Sequence, residues 1–129
     1  MSVLTEVSWG ELIDKYTILA IKLERLTDAD KLQNVRNELA ALAPARTQAH
    51  ALAPGLDELE TNLKAVNATL WVIEDDIRDC ERAQDFGATF IALARSVYRQ
   101  NDRRAALKRQ INERLGSKLV EEKSYQPYE

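Results

Sequence analysis

A long run of apolar residues spaced alternately by three and four positions constrains the fold of this chain more than any other feature. Because that spacing places every member on one face of a helix, the run predicts a helix that packs lengthwise against another. A second pattern of this kind follows Gly87 and ends near Gly116. The sequence therefore predicts a long antiparallel helical hairpin over about residues 56–115. The first run comprises Leu56, Leu59, Leu63, Val66, Leu70, Ile73, Ile77 and Cys80, and the second comprises Phe90, Leu93, Val97, Leu107, Ile111 and Leu115.

Two further helices are predicted before the hairpin. Ser8 and Glu11 fit a capping box, in which the Ser8 hydroxyl accepts from the backbone and Glu11 reaches back to the cap of the first helix. The second helix is expected to be interrupted or kinked at Pro44, whose ring clashes with the preceding turn. The prediction is an all-α helical bundle in a single domain, residues 1–129, with two N-terminal helices packed on the hairpin.

Composition agrees with a helical protein and excludes several classes of fold and site. The 129 residues include only four glycines and three prolines, too few for the many turns of an all-β fold. The single cysteine, Cys80, excludes an intrachain disulfide framework and a multi-cysteine zinc site, and we expect it in the core. No apolar stretch approaches ~18 residues and the N-terminus lacks a signal pattern, so we expect a cytoplasmic protein without membrane insertion.

The last residues, 117–129, form a short tail of mixed composition. We expect this tail to pack back on the N-terminus, and the sequence leaves open whether the two ends form a small pair of strands. The residues expected to make this contact are Leu119, Val120 and Tyr125 on one side and Val3, Leu4 and Val7 on the other.

Charge is distributed unevenly along the chain. Residues 74–85 include six acidic and two basic side chains, whereas residues 95–114 include seven basic and two acidic ones. The two segments meet across the turn, so we expect them to form ion pairs. The expected pairs are Asp79 with Arg95 and Asp75 with Arg99. Nucleic acid is an alternative partner for the basic segment, but the acidic pI of 5.3 and the acidic neighbouring helix argue against it.

A polar cluster interrupts the apolar pattern of the fourth helix at residues 101–104. One interpretation is a solvated face that forms salt bridges to the tail. The other is a site for a small anionic ligand or a protein partner, in which Arg103 or Arg104 makes a bidentate contact with an anionic group and Trp9 covers it. The candidate ligand-binding residues are Trp9, Glu11, Asp14, Lys15, Asn101, Asp102, Arg103, Arg104, Lys108, Glu121, Glu122 and Lys123.

Paired carboxylates offer a second, metal-dependent chemistry. Glu11 with Asp14 and Asp75 with Asp79 each share a helix face, and carboxylates on facing helices can hold Mg²⁺ against substrate phosphates. All-helical nucleotide pyrophosphohydrolases have this outline, but their first pair is two glutamates followed by a third acid, which the first helix here does not supply. The lone His50 is expected at the surface, without a catalytic partner.

Four stretches of the sequence, taken together, carry a resemblance to a known family. They are Trp9–Lys15 continuing to Arg25, Ile73–Arg78, Asn101–Asn112 and Glu121–Tyr125. The chain resembles an uncharacterised family of small bacterial and phage proteins, often met near genes for glycosyltransferases and surface-polysaccharide synthesis. The resemblance covers nearly the whole chain. It implies a cytoplasmic location and a link to glycan or nucleotide-sugar metabolism.

Two hypotheses for the function follow. The leading one is a non-enzymatic interaction or accessory protein, linked to surface-polysaccharide synthesis, that needs no cofactor and forms a homodimer. The alternative is a metal-dependent hydrolase using Mg²⁺, or a ligand-binding protein, that acts on a phosphorylated or nucleotide-sugar compound.

Overall fold

A computed structural model describes the whole chain, Met1–Glu129, and contains four α-helices and no strand. They are α1 (Trp9–Arg25), α2 (Ala29–Leu52), α3 (Leu56–Arg82) and α4 (Ala88–Leu115). Helices α3 and α4 form the predicted antiparallel hairpin, and α1 packs against both of them while α2 packs mainly against α1. The prediction of an all-α helical bundle is confirmed. No helix combines the length and the apolar character needed to span a bilayer.

The start of α1 is held partly as predicted. The Ser8 hydroxyl accepts a hydrogen bond from the backbone N–H of Glu11 at 3.1 Å, which satisfies one of the free donors of the first turn. The other half of the capping box is absent, because the Glu11 carboxylate accepts from Lys108 of α4 instead. A residue expected to cap its own helix therefore connects two helices.

Helix α2 runs without interruption through Pro44, so the predicted break at this residue is wrong. Proline inside a helix costs about 3 kcal/mol. Pro44 is exposed, and the alanine-rich segment after it has high helix propensity. That segment is also anchored in the core by Ala49, which is fully buried. Helix propensity and burial together outweigh the missing backbone hydrogen bond.

The apolar core lies at the open end of the hairpin, where α1 and α2 meet it. It consists of Ile13, Ala49, Ala53, Leu56, Leu59, Leu63 and Ile111, with Trp9, Leu107 and Leu115 packed against it. Toward the turn between α3 and α4 burial decreases, and no residue from 81 to 107 is fully buried. Cys80 is buried as predicted. The hairpin therefore extends beyond the core as a less covered arm.

Two glycines have roles that their position in the sequence did not indicate. A Cβ on Gly10, within the first turn of α1, would lie 2.5 Å from the backbone oxygen of Lys108, so only glycine permits this close approach of α1 to α4. Gly87, in the turn between α3 and α4, has a φ of −83° and is not left-handed. The left-handed residue of this turn is Gln84, with φ 55°.

The expected ion pairs across the hairpin are not formed. The acidic side chains of α3 pair within their own helix, Glu74 with Arg78 and Asp79 with Arg82. Asp75 and Asp79 are exposed, on a side of α3 that faces away from the apolar seam contacting α4. Asp75 and Asp79 lie at the same height along the hairpin as Arg99 and Arg95 of α4, but they do not point toward α4.

The tail lies along α4 and not against the N-terminal segment. It forms no strand, and Val3 and Leu4 are exposed. After the left-handed Gly116, Ser117 donates its backbone N–H to the Asn112 carbonyl at 2.9 Å. The chain then turns back and runs antiparallel to α4, which creates the groove described next.

Candidate ligand-binding groove

A groove of about 1000 Å³ lies between α4 and the tail. One wall is the side of α4 that carries the polar cluster predicted from the sequence, and the other is residues 121–128 of the tail. The lining residues of α4 are Val97, Tyr98, Asn101, Asp102, Arg104, Ala105 and Lys108. We refer to this feature as the groove.

Charged side chains hold the tail in place along the groove. Glu121 accepts from Lys108 at 2.6 Å, and Lys123 donates to Asp102 at 2.7 Å. Outside the groove, Arg109 donates to Glu122 at 3.0 Å. Most of these side chains are half-exposed, and exposed ion pairs contribute about 0–1 kcal/mol each. Several weak ion pairs therefore determine which residues of the tail lie beside which residues of α4.

Three tyrosines form the aromatic part of the groove. The rings of Tyr98 and Tyr128 lie 4.9 Å apart, and the Lys123 ammonium lies 5.4 Å from the ring centre of Tyr125. Nearby arginines, Arg95 first, lower the pKa of Tyr98. A hydrogen bond to Asp102 raises the pKa of Tyr128. The groove thus presents aromatic faces beside fixed polar groups.

A buried polar network supports the floor of the groove. Arg104 donates its Nε to Asp14 Oδ1 at 2.9 Å and a second guanidinium nitrogen to Asp14 Oδ2, which is a bidentate pair. Asn67 donates to Asp14 Oδ1 and to the Thr17 hydroxyl, both at 2.9 Å. The Asp14 side chain is 1% exposed, so its charge depends on these partners. This network joins α1, α3 and α4.

Lys108 forms a second junction below the tail. Its ammonium donates to Glu11 at 2.8 Å and to Glu121 at 2.6 Å, and its side chain is 9% exposed. Burial alone would lower the pKa of Lys108, but the two carboxylates outweigh burial and the pKa is raised. One turn further along α4, Asn112 accepts from the Gly10 backbone N–H at 2.6 Å. Together these contacts connect α1, α4 and the tail.

One comparison with known proteins gives a result. A family model matches residues 3–128, which is nearly the whole chain. The chain belongs to DUF6165, a family of unknown function. No curated protein and no solved structure matches it. Membership of an uncharacterised family, expected from four sequence stretches, is confirmed.

Most of the predicted site residues are brought together by the fold. Seven of them line the groove: Asn101, Asp102, Arg104, Lys108, Glu121, Glu122 and Lys123. Glu11 and Asp14 contact this set from below through Lys108 and Arg104. Three lie elsewhere. Trp9 packs against the core and does not cover the groove, Lys15 lies 3.6 Å from Glu38 of α2, and Arg103 is exposed outside the groove.

Sequence reasoning missed several residues that complete the site. Asn67 follows Val66 of the apolar seam directly, and a polar residue at that place is a signal that it faces a partner. Tyr128 lies near the chain terminus, where the sequence offers no periodic pattern. Asn112 carries no signal beyond its position in α4. Each has a partner more than ten residues away, which periodicity within one helix does not reveal.

The four carboxylates of the metal hypothesis are not brought together. Asp14 is occupied by Arg104 and Asn67, and Asp75 and Asp79 lie exposed on the arm. The group whose spacing suits a metal ion is a different one, at the turn between α2 and α3: His50, Asp57 and Glu60, with ligand atoms within 4.8 Å of one another.

An arginine already neutralises much of the charge in that group. Arg46 donates to both oxygens of Glu60, at 2.7 and 2.6 Å. Burial alone would raise the pKa of Glu60, but the hydrogen bonds from Arg46 outweigh it and the pKa is lowered. The side chain of His50 is only 20% exposed, so the expectation of a surface histidine is wrong. Arg46 thus takes the position that a metal ion would need at Glu60.

Proposed function

We propose that the protein is a non-catalytic binding protein whose groove takes a saccharide, and that it serves as an accessory protein in polysaccharide synthesis. The observation that carries the proposal is the groove itself. Three tyrosines and nine other polar or charged side chains line it beside one another. The link to polysaccharide synthesis, and with it a cytoplasmic location, rests on the resemblance described above.

Aromatic faces and fixed polar groups are complementary to the two kinds of surface that a sugar presents. A pyranose has apolar C–H faces, which can lie on tyrosine rings, and a rim of hydroxyls, which can donate and accept hydrogen bonds. Tyr125 is 82% exposed, so its ring is accessible for such a contact although the Lys123 ammonium lies 5.4 Å from its centre. Asn101 and Asp102 offer acceptors on the opposite wall, which is formed by α4.

The pairing of the cations favours an uncharged ligand. Arg104 is bonded to Asp14, Lys108 to two glutamates, and Lys123 to Asp102. A neutral polyhydroxyl compound can add hydrogen bonds to these groups without breaking the pairs. A phosphorylated or nucleotide-sugar ligand, the alternative, has to displace Glu121 from Lys108 before it gains a cation.

The state of the groove's carboxylates supports binding without reaction. Asp102 accepts from Lys123, which lowers the pKa of Asp102, and Glu121 accepts from Lys108. A general base needs a carboxylate that is free to take a proton and a pKa near the working pH. Both of these carboxylates, and also Glu122, which accepts from Arg109, are instead held in ion pairs between α4 and the tail.

A thermal-shift panel tests the proposal. Neutral oligosaccharides, nucleotide sugars and inorganic phosphate are each compared, with and without Mg²⁺. A ligand at ten times its Kd adds about 1.4 kcal/mol of stability, which is roughly 5 °C in Tm for a domain of this size. We expect a neutral saccharide to produce this shift without Mg²⁺. A shift confined to nucleotide sugars or phosphate supports the alternative.

Two variants localise the effect. Tyr125→Ala removes an exposed groove ring and is expected to abolish the shift while leaving Tm without ligand nearly unchanged. Phe86→Ala, a half-exposed aromatic at the hairpin turn, is the matched control and should retain the shift. If both variants respond as the wild type does, the groove is not the binding site.

A further inference from the structure

One broad side of the hairpin is left uncovered by the rest of the chain. Helix α1 contacts the opposite side, through Lys64 and Asn67 of α3 and Arg104 and Lys108 of α4. The uncovered side, which we call the back face, is formed by exposed residues spaced by three, four or seven positions on each helix. They are Ala65, Thr69, Val72 and Asp76 on α3, and Ala92, Arg99, Arg103 and Gln110 on α4.

The back face carries opposite charges on its two helices that do not meet within the chain. Asp76 of α3 and Arg103 of α4 form no ion pair, and Arg99 meets two tyrosines and no carboxylate: it hydrogen-bonds Tyr98 and lies 5.6 Å from the centre of the Tyr128 ring. On the back face, α3 therefore presents a carboxylate without a cation, and α4 presents arginines without a carboxylate. A second copy of the same surface supplies the cation that α3 lacks and the carboxylate that α4 lacks.

The composition between these charges suits close packing. The short side chains of alanine and threonine project little from the helices, and Val72, 45% exposed, provides an apolar centre. Small residues allow two helices to approach each other closely. The back face therefore combines a flat apolar strip with self-complementary charge.

We propose that two copies of this chain pack back face to back face around a two-fold axis parallel to the hairpin. In that arrangement α3 of one copy lies against α4 of its partner, antiparallel and at matching height. Asp76 of each copy then lies within about one helical turn of the partner's Arg99. The interface is isologous, as expected for a symmetric dimer. Apart from Arg99, which also contacts Tyr128 of the groove, the interface uses residues outside the groove, so a dimer can form whether or not the groove binds a saccharide.

The expected interface is small. Twenty residues of helix at 1.5 Å each and two helices of about 10 Å width give roughly 600 Å² per copy. The total, about 1200 Å², is at the lower end of specific interfaces. The dimer should therefore dissociate measurably on dilution.

Sedimentation equilibrium of the full chain, over a range of concentration, tests the proposal. The wild type is expected to approach twice the chain mass of 14.6 kDa at high concentration. Asp76→Arg or Arg99→Asp alone places like charges together twice in each dimer, so either should raise the dimer Kd at least about tenfold. The double variant restores opposite charges and should recover most of the affinity.

Controls separate the interface from general charge effects. Asp30→Arg, on the exposed surface of α2, should leave the dimer Kd unchanged. Circular dichroism checks that each variant remains helical. The proposal is overturned if the wild type stays monomeric at millimolar concentration. It is equally overturned if the single reversals leave the Kd unchanged, or if the double variant dissociates as readily as they do.

Discussion

Removal of Arg104 should destabilise the fold strongly, because Asp14 would then be a buried charge without a cation. The Asp14 side chain is 1% exposed, and Arg104 supplies two of its hydrogen bonds. Breaking one side of a buried pair costs about 3–5 kcal/mol. Since Arg104 is 30% exposed, water can reach the vacated space in Arg104→Met, and we expect the lower value, about 3 kcal/mol.

Urea denaturation measures this effect. With an m-value of about 1.5 kcal/mol/M, a loss of about 3 kcal/mol lowers the unfolding midpoint by about 2 M. Arg103→Met is the matched control, because Arg103 is the exposed neighbour on α4. Its free energy of unfolding should differ from that of the wild type by less than about 0.5 kcal/mol.

The double variant Asp14→Leu with Arg104→Met decides whether the buried charge is the cause. It removes both charges, so it should be more stable than Arg104→Met alone. The reasoning is refuted if Arg104→Met unfolds within about 1 kcal/mol of Arg103→Met, or if the double variant is the least stable of the three.

Three further predictions concern packing and pH. Gly10→Ala should cost about 1–3 kcal/mol, by thermal denaturation, because its Cβ would lie 2.5 Å from the Lys108 oxygen; Gly87→Ala should cost much less. The pKa of Lys108 is raised on folding, so the contribution of Lys108 to the free energy of unfolding is complete below about pH 10.4 and is lost as pH rises through the folded pKa. Lys108→Met should therefore reduce the fall of stability at alkaline pH. The pKa of Glu60 is lowered on folding, so the contribution of Glu60 to the free energy of unfolding is complete above about pH 4.3 and is lost as pH falls through the folded pKa. Arg46→Met should therefore raise the pH at which acid unfolds the protein.

The apolar spacing of α3 and α4 was sufficient to predict the helices and the hairpin. Burial on one face of a helix depends on residue type and period, both of which are visible in one sequence. The failure at Pro44 has a local cause, since a strong helix former on each side and a buried anchor at Ala49 outweighed one lost hydrogen bond.

Contacts between helices were predicted less well, because they depend on rotation about each helix axis and on the crossing of α1. Asp75 and Arg99 have matching heights along the hairpin but point in different directions. Asp14 and Arg104 are ninety residues apart, and both were named as site residues, yet their bond to each other was not foreseen. Periodicity places a residue on a face, whereas pairing requires the geometry of two elements.

The path of the tail was predicted only in part. Leu119 and Val120 suggested an apolar contact with the N-terminus, but the tail follows the charges of α4 instead. Salt bridges between the polar cluster at residues 101–104 and the tail were one of the two interpretations of the sequence, and Asp102 forms such a pair with Lys123, whereas Arg104 pairs with Asp14. The groove exists because α4 and the tail do not close completely against each other.

An NMR titration tests the central claim, that the groove is a binding site for a saccharide. The ¹⁵N-labelled full chain is titrated with the neutral oligosaccharide that gives the largest thermal shift. We predict saturable shifts of the amides of Tyr98, Lys108, residues 121–126 and Tyr128, all with one Kd, and little change in α2. Saturable shifts confined to another surface, or no saturable shift with any oligosaccharide, would contradict the account.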